Sequence, residues 1–192
     1  GELQKVEPFS GEREVDFAPP LGRQLVYFVP HSELHTLHRN IPGLRYVAVR
    51  GTWRPSDMQR LRALAELGLT DEAPVSVDGT AVSPLSFVRT ALLERPPQED
   101  GEWAFYLHVE VIGTLDGHPA HAIGTASHDD WGREATARMT GMPTVVAAEM
   151  VAAGDTTGPG VLAPDAAFDP NRFFAEVAPL GISTNIELLP AP

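Results

Sequence analysis

The fold is decided by residues 103–127, which read WAFYLHVEVIGTLDGHPAHAIGTAS. Two runs of strand-forming residues, 103–112 and 118–127, lie on either side of the pair Asp116-Gly117. Asp-Gly between two such runs favours a tight turn, because both of its residues tolerate positive φ. The stretch therefore predicts an antiparallel β-hairpin.

Three more strands are predicted outside this hairpin. Residues 23–29 (RQLVYFV) are rich in β-forming side chains and lie between Gly22 and Pro30. Residues 46–50 and 182–188 alternate between side chains of opposite character. Alternation of this kind is the period of a strand with one buried face.

Three helices begin or end at recognisable signals. The clearest spans residues 56–67, where Ser56 can cap the helix, Gln59 completes a capping box and Gly68 can end it. Two more open on a polar cap followed by proline, at Ser83-Pro84 and Asp169-Pro170. Their expected buried stripes are Leu85, Val88 and Leu92 in the first, and Phe173, Val177 and Leu180 in the second.

The stretch 134–153 is helix-forming but contains Gly141 and Pro143. Proline removes a backbone donor and clashes with the preceding turn. We therefore expect a short turn followed by a separate helix over residues 143–153, which Gly154 would end.

The order of these elements predicts the fold class. Strands, helices, a hairpin, helices and a last strand follow one another, without the regular βαβ alternation of a doubly wound fold. This order favours an α+β fold with a mixed, largely antiparallel sheet and helices packed mainly on one face. Residues 1–20 contain several prolines and predict an arm or linker, and residues 21–192 predict one domain.

Composition narrows the class of function. The chain has 192 residues, 14 basic and 26 acidic side chains and a net charge of −12. Such a surface repels phosphate backbones and anionic lipid, so nucleic acid and membranes are poor partners. The absence of cysteine excludes disulfides and thiolate chemistry, and the cytoplasm is the expected compartment.

Common phosphate-binding and nucleophile motifs are missing from the sequence. Neither G-x-G-x-x-G after a strand nor G-x-x-x-x-G-K-[ST] is present. The run Gly158-Pro159-Gly160 resembles a phosphate loop only superficially, because Pro159 lacks the backbone donor that a phosphate needs. The sequence also lacks a G-x-S-x-G elbow, so it gives no support to hydrolase chemistry.

Two short runs are candidates for binding a substrate. The hairpin ends in His128-Asp129-Asp130-Trp131, which places a proton-active ring, carboxylates and an aromatic where loops commonly meet ligands. The same run can instead be an Asp-rich turn that caps the next helix. Trp53 and Arg54 precede the first clear helix, where Arg54 could clamp a carboxylate or form the rim of a turn.

A metal site is a further hypothesis that the sequence raises. His31, His35 and His38 would share one face of a helix, and imidazoles at that spacing can bind zinc. The flanking Pro30 and Pro42 leave room for hardly more than two turns, and no carboxylate stands in an H-E-x-x-H arrangement. A solvated helix face is the favoured interpretation, and no metal is assigned.

Four segments of the chain form a recognisable series in their order and spacing. They are GEL, PFSG and VDF within residues 1–17, LGLTDEAPV at 67–75, MTGMP at 139–143 with AAEM at 147–150, and GPGVLAP at 158–164 with Asp169-Pro170. Each is weak alone, but together they span nearly the whole chain and resemble the C-terminal domain of the saccharopine dehydrogenase-like family.

The resemblance implies the second half of a two-domain oxidoreductase. An upstream Rossmann domain would bind NAD or NADP, and this domain would shape the pocket for an amino-acid-type substrate and form a homodimer. The implied reaction makes or oxidises a C–N bond. Trp53, Arg54, His128, Asp129 and Trp131 would then bind substrate, Thr140 and Gly141 would face the cofactor domain, and no residue is assigned as the catalytic acid or base.

One departure from the family pattern concerns the substrate. Many lysine-pathway relatives carry Arg-Tyr-Pro-Gly-His before the Leu-Gly-Leu helix, whereas residues 53–57 here read WRPSD. Only the proline is kept, which puts saccharopine itself in doubt. The alternative function is a free-standing domain that binds a small ligand or dimerises without hydride chemistry.

Overall fold

The computed structural model describes residues 2–7, 9–95, 104–128, 132 and 134–190. The chain divides into two units, one from residues 1–34 and 46–100 and the other from residues 35–45 and 101–192. The helices are α1 Glu33–Asn40, α2 Pro55–Glu66, α3 Pro84–Leu93, α4 Ala135–Ala153, α5 Pro164–Ala167 and α6 Pro170–Val177. The strands are β1 Arg13–Asp16, β2 Arg23–Phe28, β3 Arg50–Gly51, β4 Val75–Val77, β5 Thr80–Val82, β6 Tyr106–Leu115, β7 His118–His128 and β8 Ile182–Leu189.

The first unit contains two small antiparallel sheets, β1-β2-β3 and β4-β5. The strand predicted at 46–50 is mostly wrong, because only Arg50 and Gly51 pair with β2. Arg50 nevertheless ties this segment down, since its Nε donates to the Gly11 carbonyl at 2.9 Å and its guanidinium lies 4.2 Å from the ring centre of Phe28. The β4-β5 hairpin was not predicted from the sequence.

The starts of helices α2 and α3 in the first unit agree with the predicted starts to within one residue. Helix α2 begins at Pro55 rather than Ser56, and no side chain caps it. The Ser56 capping box is therefore wrong. Helix α3 begins as predicted, with the Ser83 hydroxyl accepting from the backbone N–H of Ser86 at 3.3 Å. Its expected stripe is not buried, since Leu92 is exposed.

The second unit is built on the sheet β6-β7-β8, in which both pairs are antiparallel. The predicted hairpin is confirmed: Leu115 pairs with His118 across Asp116 and Gly117. Both turn residues have positive φ, 52° and 80°, as a tight hairpin turn requires.

Helix α4 is continuous, so the predicted break at Pro143 is wrong. A proline inside a helix costs about 3 kcal/mol. Met139 lies before it and Val146 and Met150 lie after it, and all three are buried in one cluster. Each such side chain contributes about 1.5–3 kcal/mol when buried, so packing on both sides of Pro143 outweighs the cost of the proline.

Helix α6 packs against α4 and closes this core. Asp169 caps it as predicted, accepting from the backbone N–H of Arg172 at 2.9 Å. Val177 is the most deeply buried side chain of the cluster, with 1% of its surface exposed. Ile182 of β8 and Ala126 of β7 complete the contact with the sheet.

The register of the sheet gives it two unlike faces, because paired residues project to the same side. One face carries mostly apolar side chains and is called the apolar face. Its rows are Leu107–Ala126–Thr184, Val109–Gly124–Ile186 and Val111–Ala122–Leu188. The helical core covers it only near Ala126 and Ile182, and the large side chains beyond that end are exposed.

The opposite side is called the polar face, because most of its side chains can hydrogen-bond. Its rows are Tyr106–Ser127–Ser183, His108–Thr125–Asn185, Glu110–Ile123–Glu187 and Ile112–His121–Leu189. Neither face carries a lysine or an arginine.

The α+β class is confirmed, with every described strand pair antiparallel and three small sheets in place of one. Among the described residues, no helix is both long enough and apolar enough to span a bilayer.

Replacing Met150 by alanine tests the core of the second unit. Met150 is 4% exposed, whereas its neighbour Val151 on the same helix is 59% exposed. We expect Met150→Ala to lower the free energy of unfolding by about 2–5 kcal/mol, because it leaves a cavity. Val151→Ala should change it by less than about 0.5 kcal/mol. Urea titration measures both, and equal effects would contradict the packing described.

Candidate functional site

Arg54 and Trp53 lie in the first unit, at the start of α2. The Arg54 Nε donates to Asp57 Oδ2 at 2.8 Å, and the other oxygen of Asp57 accepts from Arg60 Nη1 at 3.2 Å. Asp57 thus sits between two guanidinium groups. Trp53 is half-exposed. A substrate carboxylate would therefore compete with Asp57 for Arg54.

His128 lies in the second unit, at the end of β7. Only 6% of its surface is exposed, and its Nε2–H donates to the carbonyl of Leu180 at 3.1 Å. Gly181 follows with φ of 81°, and a Cβ there would come within 3.2 Å of His128 Nε2. The ring thereby holds the turn that leads into β8. Its contact with a substrate stays a prediction.

Thr140 and Gly141 lie on the exposed side of α4, away from Met139 and the core. The Thr140 carbonyl accepts from the Thr144 hydroxyl at 2.8 Å. Small side chains such as Ala137, Thr144 and Ala148 are exposed on the same helix, as are the larger Val145 and Glu149. Asp129 and Trp131, also predicted to bind substrate, lie outside the described residues.

The predicted histidine face does not form as one helical stripe. His31 precedes α1 and contacts the Glu33 carboxylate, while His35 and His38 lie on the helix and are exposed. Burial raises the pKa of Glu33, but hydrogen bonds from His31 and from its own backbone hold it below the usual value. In the part of the chain that the structure describes, no group of three acidic or histidine side chains could hold a metal ion.

A small cavity of about 260 Å³ lies beside the loop that contains Gly158 and Gly160. Its lining is mainly apolar, with Thr156 as its hydroxyl group. Together with the missing donor at Pro159, this lining does not suit a phosphate.

Sequence reasoning missed the polar face of the sheet. Its signal was present: residues 106–111 read YLHVEV, in which polar and apolar side chains alternate. Once the Asp116-Gly117 turn fixes the register, each polar residue of β6 meets a defined partner on β7. His128, the predicted ligand contact at the end of β7, lies on the other side of the sheet, in the row of Ile182.

Glu110 and His121 form a diagonal hydrogen-bonded pair on this face. The His121 Nε2 lies 3.0 Å from Glu110 Oε1, and the two side chains are 13% and 22% exposed. A carboxylate only accepts hydrogen bonds, so the imidazole donates its Nε2–H. A carboxylate that fixes an imidazole in this way keeps the other ring nitrogen available as a base.

Comparison with known proteins identifies the family. The model of the saccharopine dehydrogenase C-terminal domain matches residues 3–182. Carboxyaminopropylagmatine dehydrogenase of Synechocystis sp. is 26% identical over 95% of this chain and 47% of its own length. Carboxynorspermidine synthase of Vibrio cholerae is 27% identical over 97% of this chain and 46% of its own length.

The chain thus spans about half the length of these two relatives. The match extends across both units, from the arm through α4 to the start of β8. The family suggested by the four sequence segments is confirmed. The chain belongs to the saccharopine dehydrogenase C-terminal domain family.

Proposed function

We propose that this chain is the substrate-binding and dimerisation domain of a cytoplasmic, NAD(P)-dependent oxidoreductase that acts on C–N bonds of amino-acid-type substrates. The observation that carries the proposal is the family match over residues 3–182. The names of the relatives, a dehydrogenase and a synthase, support a redox reaction.

Both relatives are named for carboxylated amines, carboxyaminopropylagmatine and carboxynorspermidine. A substrate of that kind carries cationic nitrogens, which suit a domain with a net charge of −12. Its carboxylate needs a cation, for which Arg54 is the proposed group. His128, Asp129, Trp53 and Trp131 remain proposed substrate contacts.

The residues of this chain do not fit the diphosphate of a dinucleotide. That group is commonly held by a glycine-rich loop at a helix N-terminus. The candidate loop contains Pro159, and the polar face offers no lysine or arginine. We therefore assign most cofactor contacts to a Rossmann domain upstream, with Thr140 and Gly141 facing it.

The apolar face of β6-β7-β8 is the proposed dimer surface. It carries no aspartate, glutamate, lysine or arginine, whereas the chain as a whole is strongly acidic. Two like-charged chains associate best where neither presents a charge. The small residues Ala122 and Gly124 of β7 lie between the larger side chains of β6 and β8, so the face has a central groove.

The size of this face suits a second copy of the same chain. Strands lie about 4.8 Å apart and rise about 3.4 Å per residue, so β6 and β7 cover about 10 Å by 30 Å over residues 107–115, and β8 adds about 5 Å by 20 Å beside residues 107–112. Two such faces packed together bury on the order of 1,000 Å², the least that a specific interface needs.

Cofactor titration tests the proposed division of labour. We expect NADH and NADPH to bind the full-length protein, and residues 1–192 alone to bind neither measurably. Fluorescence of the reduced nicotinamide reports both titrations. Tight binding by residues 1–192 alone would contradict the assignment of the cofactor to an upstream domain.

A charge placed on the apolar face tests the dimer. Ile186 is 69% exposed, and Asn185 beside it projects from the polar face. We expect Ile186→Asp to convert the full-length protein to a monomer without loss of helix content, because it puts a carboxylate into the interface. Asn185→Asp adds the same charge and should leave the dimer intact. Sedimentation equilibrium distinguishes them, and a dimeric Ile186→Asp protein would exclude this surface.

A further inference from the structure

The Glu110–His121 pair of the second unit is more buried than the Arg54–Asp57 pair of the first. Its side chains are 22% and 13% exposed, against 31% and 25% for Arg54 and Asp57. A cross-strand pair can simply stabilise a sheet. The second ring nitrogen of His121 indicates that the pair has a chemical role as well as a stabilising one.

The other ring nitrogen of His121, Nδ1, makes no hydrogen bond with the described residues. The side chain of His121 is 13% exposed and its Nε2 is engaged with Glu110, so Nδ1 is the ring nitrogen that a ligand can reach. Because Nε2 carries the proton donated to Glu110, Nδ1 holds a lone pair that can accept a proton.

We propose that His121 is the base that accepts a proton from the substrate amine, with Glu110 as its positioning residue. The inference rests on the function proposed above, since a C–N bond forms only from an amine with a free lone pair. The ammonium gives one proton to Nδ1 and becomes the neutral amine. The imidazolium that results is stabilised by the Glu110 carboxylate.

The surroundings favour an alkylammonium ligand. The other titratable side chains on this face of the sheet are Tyr106, His108 and Glu187, and none is a permanent cation. Glu187 lies in the same row as Glu110, about 10 Å away across β7. An alkylammonium at His121 therefore meets the carboxylates of the next row, while Ile112 and Leu189 in the row of His121 offer apolar contacts to its alkyl chain.

Three glutamine variants of the full-length protein test the proposal. Glu110→Gln keeps the shape of the side chain, but its amide can donate to Nε2 and so move the ring proton to Nδ1. His121→Gln removes the base. Glu176→Gln is the control, because it makes the same charge change on an exposed residue of α6, outside the polar face.

The first measurement is the ¹⁵N spectrum of the histidine rings during titration with 1,3-diaminopropane. We expect Nδ1 of His121 to be unprotonated in the wild type and in Glu176→Gln, and to shift as the diamine binds. In Glu110→Gln, Nδ1 should be protonated and the shift should be lost. An unprotonated, diamine-responsive Nδ1 in Glu110→Gln would contradict the proposal.

The second measurement is NAD(P)H oxidation with the same diamine and a panel of small aldehydes and oxo acids. We expect kcat to fall about 100-fold or more in Glu110→Gln and His121→Gln, as for loss of a general base. KM for NAD(P)H should not change, and the pH profile of kcat should differ from that of the wild type in both variants. Glu176→Gln should stay within about threefold of the wild type.

The two measurements separate the inference from the function on which it rests. If the wild type turns over and both variants turn over equally fast, the role of His121 is refuted, while the proposed oxidoreductase function stands. No turnover together with a diamine-dependent shift at His121 would count against the oxidoreductase and support amine recognition. A loss of thermal stability with kcat and pH profile unchanged would make the pair purely structural.

Discussion

The second unit depends on one constraint, the alternation of apolar and polar side chains along β6, β7 and β8. A one-residue slip in register would exchange the two faces of the sheet. The Asp116-Gly117 turn prevents that slip, because it sets Leu115 opposite His118. Once the register is set, the apolar rows can meet α4 and α6, and the polar rows bring Glu110 within reach of His121.

Local signals predicted the elements that local physics controls. The hairpin turn and the Asp169 cap are satisfied by neighbours in sequence, and both were found. The break at Pro143 was wrong because residues distant in sequence stabilise the helix across it. The Glu110–His121 pair was missed for a related reason, since its two members lie eleven residues apart and meet only through the register.

Charge and chain length together suggest how the site is completed. The sheet carries carboxylates and no permanent cation, so it suits an amine better than a diphosphate. The relatives are about twice as long as this chain, which leaves room for a cofactor domain in proteins of this kind. The family segment at Met139–Pro143 forms the middle of α4, whose exposed side is the proposed contact with that domain.

Cysteine labelling tests most directly whether the two faces of the sheet have different roles, because the chain contains no cysteine of its own. Single cysteines at Ile186 and Asn185 place adjacent probes on opposite faces. The account predicts that dimerisation slows alkylation at position 186 only, and that 1,3-diaminopropane slows it at position 185 only. The account would be contradicted if one treatment protected both positions, or if neither treatment protected either position. Either result would show that the two faces do not have separate roles for a partner and for the substrate.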